Sequence, residues 1–559
     1  MKTRWYKDAV IYQIYPRSFK DSNGDGIGDL QGIISELDYI KELGVDAIWL
    51  SPIYASPNDD NGYDISDYRA ILPEFGTLDD FKMLVKEMKK RNLKLIMDLV
   101  VNHSSDEHYW FQESRKSLDN PYREYYIWRK GRGKNGTKPP NNWLSNFTGS
   151  AWEKDDLTGE YYLHLFSKKQ PDLNWKSPKL RQEIADICNF WLELGVDGFR
   201  CDVIPFISKP ADLENYNDWN LLHPLRGIRY YTIHEDWMKY MQELGDKSYN
   251  QEKYDTLIVG ECPNVKFDLA KTITKESNRA LDTLFEFEHV NADYFQYIIP
   301  IKLKLKRLKK IYKKWSLLPH DSWNSAFYES HDYQRSISHY GNDKEFRVES
   351  GKMLATSYML QPATPYIYQG QEIGMINYNF KREEFADIMS VNILNKTAKI
   401  PFLKNYAYKV LLKRARDHAR TPMQWNTKEN AGFTTGKPWF LVNPNYNEIN
   451  VEQSIKDHDS IFYYYKKLIN IKHTYAEHIK NSLYIEHMKN SKEIYSYQLH
   501  YKGKTLLVVC NFFKKTPEFK IEGLNFTKSK LLIANYKTKE EKLSNFKMKP
   551  YESRVYYLE

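Results

Sequence analysis

The sequence predicts a (β/α)8 barrel with an inserted subdomain and a C-terminal β domain. Eight short apolar segments alternate with segments whose apolar residues recur at helical spacing. Nearly continuous apolar strands separated by amphipathic helices are typical of a parallel sheet covered on both faces. Polar residues fall at the carboxyl ends of several of these strands, which is where barrels of this kind carry their active sites.

Each predicted element follows from a local pattern. Residues 33–43, 78–88 and 180–194 have apolar side chains every three or four positions, so each predicts a helix packed by one face. The strands are predicted from apolar, β-branched runs bounded by Gly, Pro or polar residues. The eight predicted strands are residues 9–19, 44–52, 93–103, 195–203, 256–261, 282–288, 324–332 and 364–369.

The alternation is interrupted twice, which suggests three domains. Residues 105–175 are rich in Trp, Tyr, Asn, Gly and Pro and predict a subdomain inserted after the third strand. Residues 480–559 contain short strand patterns and predict a C-terminal antiparallel β-sandwich. The barrel would then comprise residues 1–104 and 176–479. Within it, residues 375–413 are predicted only as a helical and loop insert.

Composition excludes several classes of protein. The net charge is +9, but 82 Lys and Arg stand against 73 Asp and Glu, and the densest basic run, residues 302–314, has the spacing of a solvated helix face. We therefore expect no nucleic-acid partner. The four cysteines are scattered, which argues against a disulfide framework or a zinc site. Without a leader or an apolar run of membrane length, we expect a soluble cytoplasmic protein with no membrane partner, favoured as a monomer.

The stretch from Gly198 to Val203 is the centre of the predicted site. Alternate residues of a strand share a face, so Arg200 and Asp202 point the same way. An arginine beside a carboxylate keeps that carboxylate ionised, which a carboxylate nucleophile requires. The same pair also occurs as a structural ion pair at strand ends, and these six residues alone leave both interpretations open.

Three carboxylates at strand ends extend this argument: Asp202, Glu261 and Asp332. Glycosidic cleavage needs two carboxyl groups, a nucleophile and a general acid with a raised pKa. Glu261 follows an apolar strand and precedes Cys262, so it is better placed than Asp202 to hold a proton. The alternative is that these acids bind a metal or a cationic ligand, but no His or Cys cluster supports a catalytic metal.

The loop of residues 21–29 places oxygen-bearing side chains at alternate positions with intervening glycines. Calcium uses such an arrangement, and the loop resembles the start of an EF-hand. The twelfth position of an EF-hand would be Gly32, so a true EF-hand is excluded. We expect a structural Ca²⁺ or Mg²⁺ here, and a polar turn held by Asx hydrogen bonds is the alternative.

Dispersed motifs make the chain similar to the alpha-amylase family of glycoside hydrolases, and within it to the oligo-1,6-glucosidase subgroup. The matching segments extend from about residue 4 to residue 445. They include Asp98-Leu-Val-Val-Asn-His103, Gly198-Phe-Arg-Cys-Asp-Val203, Val259-Gly-Glu261, Ser330-His-Asp332, Gln170-Pro-Asp-Leu-Asn174, Asn61-Gly-Tyr-Asp64 and Arg416-Asp-His-Ala-Arg-Thr-Pro-Met-Gln-Trp425.

The resemblance implies a role for each matching residue. Asp202 would be the nucleophile, Glu261 the acid/base, and Asp332 the carboxylate that binds the 2- and 3-hydroxyls of the distorted glucosyl unit. The same pocket would be lined by Tyr63, Asp64, His103, Arg200, His331 and Arg416. Lone histidines such as these two are more often core or surface residues. The family's metal site would correspond to Asp21, Asn23, Asp25, Ile27 and Asp29.

The resemblance also implies an exo-acting enzyme that releases one glucose from the non-reducing end of an oligosaccharide. In related enzymes valine after the nucleophile accompanies α-1,6 bonds and threonine α-1,4 bonds, and Val203 is valine. A β-branched residue that merely fills the barrel wall would look the same. Tyr333 and Gln334 depart from the common pattern after Asp332, and this affects the expected chain-length preference.

The rival functions use the same fold. The closest is the same site acting on α-1,4 bonds, sucrose or trehalose 6-phosphate, or transferring glucose instead of hydrolysing, as a sucrose isomerase does. More remote are a non-catalytic scaffold and a glucan-binding protein. The complete set of three carboxylates favours an enzyme over both.

Overall fold

The computed structural model describes residues 4–217, 227–295, 299–521, 523, 526–538, 543 and 545–559. All eight predicted barrel strands are present and form one sheet, in the spatial order β6-β5-β4-β3-β2-β1-β8-β7. Every pairing within it is parallel. The strands are β1 (Ile11–Ile14), β2 (Ala47–Leu50), β3 (Lys94–Leu99), β4 (Gly198–Cys201), β5 (Leu257–Glu261), β6 (Thr283–Phe285), β7 (Ser325–Ala326) and β8 (Thr364–Tyr368).

The sheet curls until its two end strands meet. Thr283 of β6 and Ser325 of β7 join their hydroxyl groups at 3.1 Å across the seam. This side-chain hydrogen bond stands where backbone hydrogen bonds between β6 and β7 would otherwise close the sheet. The predicted barrel is confirmed. The strands are shorter than the predicted segments because the last residues of each segment leave the sheet and turn into the loops above it. After β1, for example, Pro16–Ser18 already forms a 3₁₀ turn.

Several helices begin where the sequence provides a side-chain cap. Leu78–Lys90 starts with a capping box between Thr77 and Asp80, and Ser177 caps Pro178–Glu193. No helix in the described ranges is long and apolar enough to cross a membrane. The described helices of ten or more residues are Leu78–Lys90, Pro178–Glu193, Trp237–Lys247, Leu305–Trp315, Arg347–Met359, Ile388–Thr397, Pro401–Arg414 and Ile461–Thr474. The shorter ones are Leu30–Ser35, Leu37–Leu43, Tyr109–Ser114, Ile228–Tyr231, Phe267–Ile273, Ser336–Tyr340, Asp417–Arg420, Val451–Lys456 and Ala476–Lys480.

The basic run of residues 302–314 is largely the helix Leu305–Trp315, as predicted. Its apolar residues are buried, and most of its cationic side chains face outward. Lys309 is the exception. Its ammonium group is buried and donates to the carbonyls of Met488 at 2.6 Å and Ile494 at 3.2 Å. This lysine therefore ties the barrel to the C-terminal domain.

A small subdomain lies between β3 and β4. Its antiparallel sheet consists of Trp128–Arg129, Tyr161–Leu163 and Trp152–Lys154, with Tyr161–Leu163 in the middle. Its core is aromatic, and Phe111 stacks on Trp128 with ring centroids 5.6 Å apart. A buried cluster shared with the loop after β4 fixes the subdomain beside the carboxyl ends of the strands. The predicted limits of the three domains stay a prediction.

The C-terminal domain is antiparallel. Five strands run in the order Leu483–His487, Ile494–Tyr501, Lys504–Asn511, Ser553–Leu558 and Ser529–Ala534. A separate pair, Glu518–Lys520 with Asn545–Lys547, contributes Phe519 and Phe546 to one buried cluster with Leu507 of the larger sheet. The predicted C-terminal β domain is confirmed.

Candidate active site

One guanidinium group organises the carboxyl ends of the strands. Nη1 of Arg200 lies 2.6 Å from Asp98 Oδ1 and 2.6 Å from Asp202 Oδ1. Its Nη2 lies 2.7 Å from Glu261 Oε2. These side chains come from the neighbouring strands β3, β4 and β5, so the register of the parallel sheet brings them together. A single buried cation thus holds three carboxyl groups in fixed positions.

The two predicted catalytic carboxyl groups bind the same guanidinium group. Asp202 binds Nη1 of Arg200 and Glu261 binds its Nη2. Burial raises the pKa of Asp202 to about 6, against the opposing charge of Arg200. Burial, reinforced by the charges of Asp202 and Asp332, raises the pKa of Glu261 to about 7. Glu261 therefore keeps its proton to a higher pH than Asp202, which is the order expected for a general acid beside an ionised nucleophile.

Val203 follows Asp202 in an unusual backbone conformation. Its φ of 34° and ψ of 38° place it in the left-handed region, which β-branched residues rarely adopt. The conformation turns its N–H toward Glu261, where it donates to Oε2 at 3.0 Å. The valine side chain packs in the same buried cluster as Trp143 of the inserted subdomain. Val203 thus bonds to Glu261 through its backbone and packs with the inserted subdomain through its side chain.

Asp332 lies among cationic and polar groups. Its Oδ1 is 3.0 Å from Arg416 Nη1 and 3.4 Å from Arg420 Nη2, and its Oδ2 is 3.2 Å from His331 Nε2. Burial disfavours its charged form, but these neighbours outweigh burial and hold the pKa of Asp332 well below its usual range. Asp332 therefore remains an anion throughout the pH range in which Glu261 titrates.

His331 is held in the site by hydrogen bonds on both ring nitrogens. Gln13 Nε2 lies 2.8 Å from its Nδ1, and the Tyr63 hydroxyl lies 2.7 Å from its Nε2. The amide nitrogen of Gln13 can only donate, so Nδ1 accepts and Nε2 carries the proton. The Tyr63 ring also stacks on the imidazole, with centroids 5.2 Å apart. The proton on Nε2 is thus directed at Asp332 and the Tyr63 hydroxyl.

Two predicted pocket residues lie deeper than expected. Asp64 is fully buried, and its carboxylate accepts the backbone N–H groups of Asp59 at 2.8 Å and Asp60 at 3.0 Å. Asp60, four residues earlier, lies 3.8 Å from Arg416, and the predicted place of Asp64 in the pocket stays a prediction. His103 is 2% exposed, with its Nε2 3.1 Å from the Tyr63 carbonyl oxygen. His103 therefore contacts the backbone of Tyr63 from the buried side of the site.

Besides Asp60, sequence reasoning missed three charged residues at this site. Asp387 lies 2.7 Å from Arg416 Nη2 and 2.8 Å from Arg420 Nη1, so it holds both arginines that approach Asp332. Arg416 and Arg420 are four residues apart around the helix Asp417–Arg420, and that spacing was the available signal for Arg420. Asp387 lies in the segment for which no elements were predicted.

The third missed residue is Lys209, in the loop after β4. Its ammonium group is buried, 2.6 Å from Asp172 Oδ2 and 2.9 Å from Asn102 Oδ1. Asp172 lies at the end of the inserted segment, and Asn102 precedes it. A buried ion pair therefore ties the subdomain to the strand ends.

An aromatic pair borders the acid/base. The Tyr333 ring stacks on Phe287 with centroids 5.8 Å apart at 20°, and its hydroxyl accepts from Asn291 Nδ2 at 3.3 Å. The charges of Asp332 and Glu261, after burial, are among the causes that raise the pKa of Tyr333. Phe287 lines one small cavity together with Glu261 and Asp332.

The loop of residues 21–29 is closed by Asx hydrogen bonds. Asp21 accepts the N–H groups of Asn23 and Gly24 at 2.9 and 2.8 Å, and Asp25 accepts that of Ile27 at 2.8 Å. Across the ranges that the structure describes, no three His, Cys, Asp or Glu side chains converge as a metal cluster. A cation in the loop would therefore also need the Asn23 amide and backbone carbonyl oxygens. All of these are oxygen donors, which suits a hard cation.

Comparisons with known proteins agree with this geometry. A family model described as alpha amylase, catalytic domain, matches residues 13–481. The oligo-1,6-glucosidase of Halalkalibacterium halodurans is 49% identical over 564 residues, covering 100% of this chain and 99% of the relative. That of Parageobacillus thermoglucosidasius is 50% identical over 567 residues, with the same coverage. The crystal structure of trehalose-6-phosphate hydrolase from Bacillus licheniformis has a TM-score of 0.93 and 42% identity, covering 99% of each chain. The chain therefore belongs to the alpha-amylase family of glycoside hydrolases.

Proposed function

We propose that this protein is a retaining, exo-acting α-glucosidase that hydrolyses α-1,6-glucosidic bonds at the non-reducing end of isomaltose and isomalto-oligosaccharides. The observation that carries the proposal is that Asp202 and Glu261 bind the two terminal nitrogens of one guanidinium group, that of Arg200. Retaining enzymes hold their two carboxyl groups about 5 Å apart, whereas inverting enzymes need about 6.5 to 9.5 Å for a water molecule. The close pair supports the retaining mechanism, and the full-length relatives support the substrate class.

The first chemical step forms a glucosyl enzyme. The Asp202 carboxylate attacks C1 of the terminal glucose while Glu261 donates its proton to the glycosidic oxygen, so the C1–O bond breaks and the leaving sugar departs as an alcohol. In the second step Glu261 removes a proton from water, whose oxygen attacks C1 and releases Asp202. Two inversions at C1 return α-glucose. After the first step Asp202 is bonded to C1 and Glu261 has lost its proton; after the second step Asp202 is free and Glu261 is protonated again.

The other side chains bind and orient the terminal glucose. The anionic Asp332 accepts hydrogen bonds from sugar hydroxyls, and Arg416 with Asp60 supplies a second polar contact at the end of the pocket. Arg200 keeps Asp202 directed toward the sugar carbon. His331 and Tyr63 present an N–H and a hydroxyl from one wall. Such binding contributes to catalysis where it strengthens as the glucose ring distorts toward the oxocarbenium-like transition state.

A side-by-side kinetic comparison tests the substrate class. We expect kcat/KM for isomaltose to exceed that for maltose, sucrose and trehalose 6-phosphate by about tenfold or more, a usual discrimination for one altered contact. Glucose release is measured on all four sugars at one pH. A preference for trehalose 6-phosphate would assign this chain the activity of its structural relative instead. If none of the four sugars is hydrolysed, the alternative of a non-catalytic scaffold protein is favoured.

Val203→Thr tests the linkage preference. The side chain keeps its shape but gains a hydroxyl beside Glu261, so we expect kcat/KM for maltose relative to isomaltose to rise by about 10- to 100-fold. Ile204→Val, one residue further along, is the matched control because Ile204 is buried behind the site. An unchanged ratio in Val203→Thr would show that Val203 only fills the wall.

We also propose that the loop of residues 21–29 holds a structural Ca²⁺ through Asp21, Asn23, Asp25, Ile27 and Asp29, Mg²⁺ being the alternative ion. Hydrogen bonds from Thr434 and loop N–H groups outweigh burial and lower the pKa of Asp21, so it is an anion at neutral pH. The loop precedes Leu30–Ser35, whose N-terminus Asp29 caps through Gly32 N–H at 2.6 Å. A bound cation would stabilise this connection to the barrel.

Calcium at about 100 times its Kd is expected to stabilise the fold by about 2.7 kcal/mol relative to chelated protein, which raises Tm by a few degrees. Asp25→Asn is the informative variant, because an amide oxygen can still accept from Ile27 N–H while the charge is removed. We expect it to lose most of the calcium-dependent rise. Equal Tm values with calcium and with chelator would favour the turn held by hydrogen bonds alone.

We further propose a cytoplasmic location and a monomeric state. All four cysteines are buried free thiols, as is usual in a reducing compartment.

A further inference from the structure

The helical insert after β8 exposes apolar side chains at its tip. Ile388–Thr397 and Pro401–Arg414 form a hairpin whose base is buried against Phe380 and Phe440. At the turn between the two helices and in the first residues of Pro401–Arg414, the apolar side chains are no longer buried. The side chains exposed there, here called the apolar tip, are Ile400 at 50%, Phe402 at 77%, Leu403 at 39% and Tyr406 at 48%. Four neighbouring exposed apolar side chains on one protrusion are a feature of interaction sites.

The hairpin that carries the apolar tip contains cationic but no acidic side chains, and the exposed Glu383 lies in the segment that packs against it. Residues 388–416 contain no Asp or Glu, and their lysines are exposed in the structure. These lysines are Lys396, Lys399, Lys404, Lys409 and Lys413. A second acid-free segment, residues 301–315, presents exposed cations of its own, among them Lys306 and Lys310.

The two basic segments meet at Tyr294. Arg307 donates a hydrogen bond to the Tyr294 carbonyl, and the Arg414 guanidinium lies 4.2 Å from the centre of the Tyr294 ring. The acids nearby are already paired, Asp293 with Arg414 and Glu288 with Lys314. The lysines around the tip therefore have no neutralising partners among these acids, and the two segments together present an excess of exposed positive charge.

We propose that the apolar tip and its lysines bind the surface of an anionic phospholipid bilayer. A convex tip of Ile, Leu, Phe and Tyr ringed by lysines suits the interface of a bilayer, where apolar side chains enter the acyl boundary and ammonium groups reach the phosphates. Nucleic acid would use the lysines but offers no medium for the aliphatic side chains. An acidic protein would need a matching groove. The contact is peripheral, and it revises the expectation of no membrane partner.

Cosedimentation of the full chain with lipid vesicles tests the proposal. We expect binding to phosphatidylcholine vesicles containing about 30% phosphatidylglycerol to exceed binding to pure phosphatidylcholine by about tenfold or more. Raising salt from about 50 to about 300 mM should weaken it, since screening shortens the reach of the lysines. Equal binding to the two kinds of vesicle, or binding to neither, would overturn the proposal.

Variants separate the two contributions. Phe402→Ser with Leu403→Ser and Tyr406→Ser, and separately Lys399→Gln with Lys404→Gln and Lys409→Gln, should each reduce vesicle binding by about tenfold. The first matched control is Leu157→Ser, at an apolar residue 67% exposed elsewhere. The second replaces the exposed Lys489, Lys492 and Lys502 by Gln. Both controls should bind like the wild type, and unchanged glucosidase turnover shows that every variant is folded.

Two results would contradict the proposal in specific ways. If the serine variant binds vesicles as the wild type does while the glutamine variant does not, the surface adsorbs polyanions without inserting its tip. If duplex DNA binds more tightly than the anionic vesicles and both variants lose that binding, the surface is a nucleic-acid site.

Discussion

Replacing Asp202 by Asn lowers kcat on isomaltose by about 10⁴-fold or more, the effect expected when a covalent nucleophile is removed. The amide matches the carboxylate in size and can still accept from Arg200 at the position now 2.6 Å away. Arg200 also keeps Asp98 and Glu261 as partners, so the variant should fold. Glucose release is measured together with thermal unfolding.

Covalent trapping tests the nucleophile directly. A fluorinated glucosyl fluoride that forms its glucosyl enzyme faster than water removes it should add one sugar mass to the wild type and none to Asp202→Asn. Asp268→Asn is the control, because Asp268 is an exposed carboxylate that pairs with Lys271 and is not a predicted site residue. If the sugar were attached to Glu261 or Asp332 instead, the assignment of roles would be wrong.

Glu261→Gln should reduce kcat on isomaltose by about 10³-fold, within the range for loss of a general acid. Attack by Asp202 remains possible, but the departing sugar alkoxide is no longer protonated. An aryl α-glucoside with an acidic phenol as leaving group needs no proton for this step, so its glucosylation should fall far less. Equal losses on both substrates would show that Glu261 serves binding or structure rather than proton transfer.

The pH profile of the same variant gives an independent check. Activity needs Asp202 ionised and Glu261 protonated, so the wild-type rate should rise as the pH passes the Asp202 pKa of about 6 and fall as it passes the Glu261 pKa of about 7. Since Gln does not titrate, the alkaline limb should disappear in Glu261→Gln while the acid limb remains. A variant that kept the alkaline limb would assign that limb to another group.

The sequence by itself determined the barrel and which carboxylates lie at the ends of its strands. Strand and helix periods are local patterns, and a parallel barrel brings the carboxyl ends of its strands to one face. Residues at the ends of neighbouring strands, such as Arg200 and Glu261, therefore lie together in the structure. Their separation in the chain does not matter, because the register of the parallel sheet determines which strand-end residues lie side by side.

Only the tertiary structure decided which loop side chains complete the site. Asp60 and Asp64 lie in one short turn. The Asp64 carboxylate accepts hydrogen bonds from backbone N–H groups of that turn, and in the resulting conformation Asp60 lies beside Arg416. Asp387 reaches Arg416 and Arg420 from an insert without a recognised pattern. The left-handed backbone of Val203 is likewise maintained by its surroundings. Loop conformation is set by long-range contacts, so the local patterns that predict strands and helices do not carry it.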